Sequence, residues 1–205
     1  STTSCFTCGV DNFIDSRDAN SYQTMQIGSQ CWMKENLNYA SANSWCYANN
    51  SNNCNTYGRL YTWDAVTGGT SSSLNPSGVQ GVCPADWHVP SDAEWQQLEI
   101  YLGMSPSVVN STGWRGTDEG GKLKSTTLWN FPNSGATNSS GFTALPGGYR
   151  EKSGVFNFIG DYGLWWSATE DGSSAWRRHL SLSNSSIHQQ ADDKGYGFAV
   201  RCLRD

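Results

Sequence analysis

The chain has 205 residues, enough for one domain with a substantial core or at most two small ones. Only 15% of residues are charged, while 28 Ser, 22 Gly and 17 Asn make up about a third of the chain, a turn-rich composition that excludes a helical bundle or coiled coil. With 10 Trp, 9 Tyr and 7 Phe there is too much apolar area for disorder, and a net charge of −5 without a Lys/Arg cluster excludes nucleic acid as a partner.

Residues 1–12 read as an N-terminal tail rich in Ser, Thr and Cys. No signal peptide is visible, so any targeting segment is expected to have been removed or to lie outside this chain. Strands are expected at Phe13-Ile14 and across Tyr22 to Gly28, then a short strand or turn over Trp32 to Leu37. Residues 41–56 read as loop, Leu60 to Val66 as a short helix, and Thr67 to Gly81 as an exposed loop with four Gly and four Ser. Pro90-Ser91-Asp92-Ala93-Glu94-Trp95 predicts a helix start: Ser91 at the N-cap and Glu94 three residues on form a capping box. Trp95, Leu98 and Leu102 share a face of that helix, and Gly103 ends it. A shorter helix is expected over Gly120 to Ser125, carrying Leu123 inward. Beyond it the signal is strands and turns, anchored by Phe142, Leu145, Tyr149, Phe156, Phe158, Trp165 and Trp166. No stretch approaches the roughly 20 apolar residues of a bilayer span, so no membrane insertion is expected.

Alternation resolves the C-terminal segment residue by residue. One strand carries Trp176, Arg178, Leu180 and Leu182 inward and Arg177, His179, Ser181 and Ser183 outward. Asn184-Ser185-Ser186 turns the chain into a return strand, with Ile187 and Gln189 on one face and His188 and Gln190 on the other. Asp192 to Gly195 is a further turn, and Phe198, Val200 and Cys202 alternate inward on a last strand.

The seven cysteines are Cys5, Cys8, Cys31, Cys46, Cys54, Cys83 and Cys202. Zinc lacks a second Cys or His pair at finger spacing after Cys5-Phe-Thr-Cys8, and a redox motif would sit between a strand and a helix, not in a polar tail. Disulfides are the favoured reading and imply an oxidising exterior, with at least one thiol left over from the odd count. Cys46 and Cys54, eight apart, are close enough for a local staple.

A long ordered set of motifs carries a resemblance. It runs through Asp15-Ser-Arg-Asp18, Tyr22-Gln-Thr, Trp32-Met33, Glu35-Asn-Leu-Asn-Tyr39, Ser44-Trp-Cys-Tyr47 and Tyr57-Gly-Arg-Leu-Tyr-Thr-Trp63. It continues with Cys83-Pro84, Trp87-His88-Val-Pro-Ser91, Ala93-Glu-Trp95, Leu123-Lys-Ser125, Ala144-Leu-Pro-Gly147, Tyr149-Arg150, Trp165-Trp-Ser167 and Gly197-Phe198 onward. Over about residues 13 to 205 the chain resembles the Fibrobacter succinogenes major paralogous domain family. The resemblance implies an α+β, C-type-lectin-like fold of the formylglycine-generating-enzyme variant, with two main short helices, many short strands and long loops. It implies one domain over 13–205, an extracellular or cell-surface location with adhesin-like roles, and Cys46–Cys54 and Cys83–Cys202 bridges. Cys31 is left to pair with Cys5 or Cys8, and nothing in the sequence selects between them.

Members of this family also look like the variable proteins of diversity-generating retroelements, in which a C-terminal region is rewritten at template adenines, mostly in Asn codons. That process yields Ser, Arg, His, Asp, Ala, Tyr and others but never Lys, Gln, Glu, Trp or Met. The resemblance therefore marks residues 171–196 as the candidate variable, ligand-binding region. Its members are Asp171, Ser173, Ser174, Arg177, His179, Ser181, Ser183, Asn184, Ser186, His188, Gln190, Ala191, Asp192, Asp193 and Tyr196. Gln189 and Gln190 fall outside the permitted set and need another codon origin. The expectation is a non-enzymatic binding module, acting as a monomer without a cofactor. Its partner is expected to be a protein, because variable loops on a rigid scaffold leave the core intact.

Two other classes stand beside this one. A calcium-independent carbohydrate-binding or adhesin module is the alternative, since aromatic faces stack on sugars. However, Trp32, Trp63, Trp87, Trp95 and Trp165 read as core, and the calcium-dependent lectin motifs are absent. An enzyme lacks support: there is no Gly-x-Ser-x-Gly, no phosphate loop and no His-Glu-x-x-His. The formylglycine-generating chemistry of fold relatives needs cysteines shortly before the last strand, and none lies between Cys83 and Cys202. His88 reads as a hydrogen-bonded structural residue, and His179 with His188 lack a third metal ligand.

Overall fold

A computed structural model describes residues 6–205. It opens with β1 (Phe13–Ile14), β2 (Ser21–Tyr22), β3 (Thr24–Ile27) and β4 (Gln30–Met33), then β5 (Ser44–Trp45), a 3-10 turn (Tyr47–Asn49), α1 (Ser51–Tyr57) and β6 (Leu60–Tyr61). The middle holds α2 (Trp63–Thr67), β7 (Trp87–His88), α3 (Asp92–Tyr101), β8 (Gly113–Arg115) and α4 (Glu119–Leu123). The last third is β9 (Gly147–Arg150), β10 (Phe156–Ile159), β11 (Tyr162–Asp171), β12 (Ser174–Ser181), β13 (Ile187–Asp193) and β14 (Leu203–Arg204). The architecture is thus α+β, with short helices and many strands. Six strands form the main sheet in the order β10-β9-β11-β12-β13-β8, and a second sheet runs β3-β4-β14-β7.

Strand alternation builds two cores from one sheet. Leu164, Trp166 and Ala168 of β11 face a cluster with Tyr61, Trp63, Trp87, Phe198 and Val200. Trp165, one residue away, points to the opposite face and joins Trp32, Trp95, Leu98, Phe142 and Leu180. Each Trp takes about 150–250 Å² out of water, so the adjacent pair anchors both layers at once. The five tryptophans read as core are all at most 1% exposed.

α3 starts as its sequence predicts. Ser91 Oγ accepts from the Glu94 amide at 3.2 Å, and the Glu94 carboxylate accepts from the Ser91 amide at 2.9 Å. Trp95 and Leu98 are buried. α4 covers Glu119–Leu123, with Leu123 inside. His88 is buried between Glu94, at 2.8 Å, and Asp205, at 2.6 Å. Burial disfavours its charge, but hydrogen bonds to Glu94 and Asp205 outweigh that and raise its pKa.

Cys46–Cys54 and Cys83–Cys202 are bonded, and Cys8 is the partner of Cys31. Cys5 lies outside the described residues. Three disulfides are consistent with an oxidising, extracellular setting. Among the described residues no helix is long and apolar enough to cross a membrane.

Several local expectations are corrected. The segment 41–56 is not all loop: it holds β5 and most of α1, whose N-cap Asn50 accepts from the Asn52 amide at 3.0 Å. Leu60 and Tyr61 form a strand paired with β5, and the helix begins only at Trp63. The loop after α2 folds back, burying Ser77, Val79 and Val82.

Candidate functional site

β12 is a central strand, flanked by β11 and β13, so its backbone is locked and its two faces differ only in side chains. On the even face Arg178 is 1% exposed. Its Nε donates to Glu99 at 2.5 Å and its Nη1 to Asp92, both on α3. Glu99 also accepts from Nη1 and Nη2 of Arg115 on β8, at 2.7 and 3.0 Å. Burial works against the Arg178 charge, but Glu99 and Asp92 outweigh it and raise its pKa. Gln189 of β13 reaches Asp92 from the same side. Two guanidinium and two carboxylate groups thus clamp the sheet to α3.

The odd face is where the structure departs from the expectation of an open surface. Arg177 is 7% exposed and Ser181 3%, and Ser186 in the following turn is buried too. Over Arg177 the reason is a second covering layer: residues 196–198 return across this face, Phe198 pairing with Tyr61 and Gly197 with Arg150, while Ser181 and Ser186 lie against Lys124 and α4. Trp176, expected inward, is half-buried and belongs to neither core.

What remains open is a cleft of about 200 Å³. Its walls are Tyr149, Tyr162, Leu164, Tyr196 and Phe198, and its polar groups are Arg177, His179 and Asp192. Arg177 Nε donates to Asp192 at 2.5 Å, and its Nη1 lies 3.5 Å from His188 Nδ1. A row of rings in successive contact runs along the cleft. Trp114 on β8 lies 5.0 Å from His188 and 5.2 Å from His179, and His179 lies 4.5 Å from Tyr162. Phe158 then stacks on Tyr162 at 4.6 Å and on Tyr149 at 5.9 Å. Trp114 and Phe158 are 43% and 45% exposed, so the row reaches solvent at both ends.

Both histidines are pushed toward the neutral form. Burial, then Arg177 and His188, push His179 down to about 2. Burial and Arg177 also lower His188, with Asp192 opposing. Among the described residues no group of three His, Cys, Asp or Glu is placed to hold a metal ion.

Of the residues expected in the binding region, the structure gathers Arg177, His179, Asp192 and Tyr196 around the cleft, with His188 beside it. Asp171, Ser173 and Ser174 sit at the β11–β12 hairpin, and Ser183, Asn184 and Ser186 at the β12–β13 turn. Gln190 and Asp193 are exposed on β13, with Ala191 half-buried between them and Asp192. The β12–β13 turn is held through its backbone. Lys124 Nζ donates to the carbonyls of Ser181 and Asn184, both at 2.9 Å, and of Ser134 at 2.8 Å. Burial pushes Lys124 down to about 8. A Cβ on Gly120 would stand 2.3 Å from the Ser186 carbonyl, so glycine lets α4 abut the same turn. The residues that sequence reasoning missed are Trp114, Tyr149, Phe158, Tyr162 and Leu164, which lie outside 171–196. The one signal was that Tyr149 and Tyr162 each adjoin a glycine, in Gly148-Tyr149 and Tyr162-Gly163.

The profile of the Fibrobacter succinogenes major domain matches residues 25–204. The chain belongs to this family. The match takes in the whole cleft, both histidines and the buried ion network. No curated protein and no solved structure matches the chain.

Proposed function

We propose that this Fibrobacter succinogenes major domain is a non-enzymatic ligand-binding module of C-type-lectin-like fold, displayed at the cell exterior. Its recognition face is the odd side of β12 with the adjoining parts of β13 and β11. The observation that carries the reading is the division of labour along one strand. Arg178 locks the sheet to α3, while its neighbours Arg177 and His179 line an open, aromatic-walled cleft. Such a strand tolerates change on one side without losing its frame.

The partner this reading favours is a protein spread across the whole face, and the source of variation is a retroelement acting on residues 171–196. The turn after β12 suits this in part: Lys124 holds it by the carbonyls of Ser181 and Asn184, and the side chain of Ser183 is exposed, while Asn184 Oδ1 accepts from the Ser186 amide and hydroxyl. A glycan is the second reading, favoured by the cleft itself. The test is genomic. A nearby reverse transcriptase gene and a near-copy of the 3′ coding end, differing at adenines in codons for residues such as Arg177, His179 and Asp192, are expected. Differences spread evenly over the gene, Trp165 and Arg178 included, would refute the diversified-display reading.

A further inference from the structure

We infer that the cleft between Tyr149, Tyr162, Arg177 and Asp192 holds one neutral sugar ring without calcium, an assignment that rests on reading this face as the recognition surface. Charge decides first. Arg177 is paired with Asp192, so an anionic ligand approaching the guanidinium meets the carboxylate, and a cationic one approaching the carboxylate meets the guanidinium. A ligand cation would also find its place over the Phe198 ring taken, since the Arg177 guanidinium already lies 5.8 Å from that ring's centre. His179 and His188, both pushed toward the neutral form, favour no ligand charge. A neutral group is the one repelled by neither partner.

Hydrogen bonding decides next. Arg177 spends Nε on Asp192, while its Nη2 has no partner among the described residues. Asp192 accepts from Arg177 through Oδ2, and its Oδ1 has only a 3.5 Å contact from Gln190. The hydroxyls of Tyr149, Tyr162 and Tyr196 are likewise without a partner among the described residues. The cleft thus presents a donor and an acceptor side by side among aromatic walls. Neighbouring hydroxyls of a sugar ring need that donor–acceptor pair, and its C–H faces suit the rings. An aliphatic or aromatic side chain of a protein partner would use the walls but leave these polar groups dehydrated and unpaired. The space, about 200 Å³, is on the scale of a single ring. Calcium has no role here: Asp192 is the one carboxylate among the cleft's lining residues, and it is committed to Arg177.

The test is a glycan array probed with the purified protein in EDTA. The array carries neutral glycans ending in glucose, galactose, mannose, xylose and N-acetylglucosamine beside sialylated and sulfated ones, and calorimetry follows on each glycan retained. Binding of at least one neutral terminal sugar in EDTA is expected. Arg177→Lys, which keeps the charge but not the fork, should weaken it at least ten-fold with the melt preserved. Asp192→Asn should weaken neutral binding and raise retention of sulfated glycans, because the guanidinium is then uncompensated. Retention of no neutral glycan, binding that needs calcium, binding confined to anionic glycans, or indifference to Arg177→Lys would each overturn the assignment. The adenine pattern is read from DNA alone, so an empty array beside that pattern rejects the sugar and leaves the recognition face standing.

Discussion

Substituting Arg178 by Met tests whether the even face of β12 is frame. Arg178 is 1% exposed, and its removal leaves Asp92 and Glu99, two carboxylates, sharing the single guanidinium of Arg115. Glu99 is fully buried, so water cannot take the place of the lost partner. Breaking a buried pair from one side costs about 3–5 kcal/mol. For a chain of this size each kcal/mol moves Tm by about 2–4 °C, so the expected fall is about 6–20 °C. Arg177→Ala on the neighbouring residue opens a pair whose carboxylate is 23% exposed and can rehydrate, and about 1–2 kcal/mol is expected. Scanning calorimetry of the two variants beside the parent is the assay. Adding Asp92→Asn to Arg178→Met restores the charge balance around Glu99 and Arg115, so the double variant should recover part of the loss. An Arg178→Met protein melting within about 2 °C of the parent would refute the idea that this network holds sheet to helix.

Three further outcomes are expected. Cys202→Ser opens a loop of 119 residues and should cost about 4–5 kcal/mol by chain entropy; alkylation and mass spectrometry finding both thiols free in the parent would contradict the bridge. Ser91→Ala removes the oxygen that accepts from the Glu94 amide and should cost ~0.5–2 kcal/mol, read from a denaturant midpoint at unchanged slope. His88 has a pKa raised above its ordinary value of about 6.5, so its contribution is complete below that pH and is lost as pH rises through the folded-state value. The Tm advantage of the parent over His88→Gln should therefore shrink between pH 6 and 9, and an advantage that stays constant would show that the imidazole is held neutral throughout.

Local rules carried the sequence reading wherever the determining residues are neighbours. Ser91 and Glu94 are three apart, and their capping box is present as written. The tryptophans read as core are core. α1 was hidden because Ser-Asn-Asn-Cys-Asn-Thr-Tyr has no apolar period; the Asn50 cap and the Cys46–Cys54 bond hold it instead. The partners of Arg178 were out of reach for a different reason: Asp92 and Glu99 lie 86 and 79 residues upstream. The burial of Arg177 was missed because alternation assigns a side of the strand but not what covers that side. Here the cover is the return of residues 196–198, a topological fact with no local signature.

That cover changes what variation on this face can be. On an open sheet each position could change alone, as the sequence reading assumed. In this fold Arg177 and Asp192, 15 residues apart, are paired with little exposure. Replacing either by an apolar residue leaves the other charge partly buried and unpaired. Both types lie within the set reachable from Asn codons, yet only some pairs of them balance. If this face is diversified, positions 177 and 192 must vary together in sign, while Asp171, Ser173 and Ser183, on the exposed turns, are free of that constraint. The tolerant positions and the chemically decisive ones are thus different residues: the exposed positions beyond the ends of β12 can absorb change, and its centre can change only in matched steps that keep the cleft neutral or recharge it as a whole.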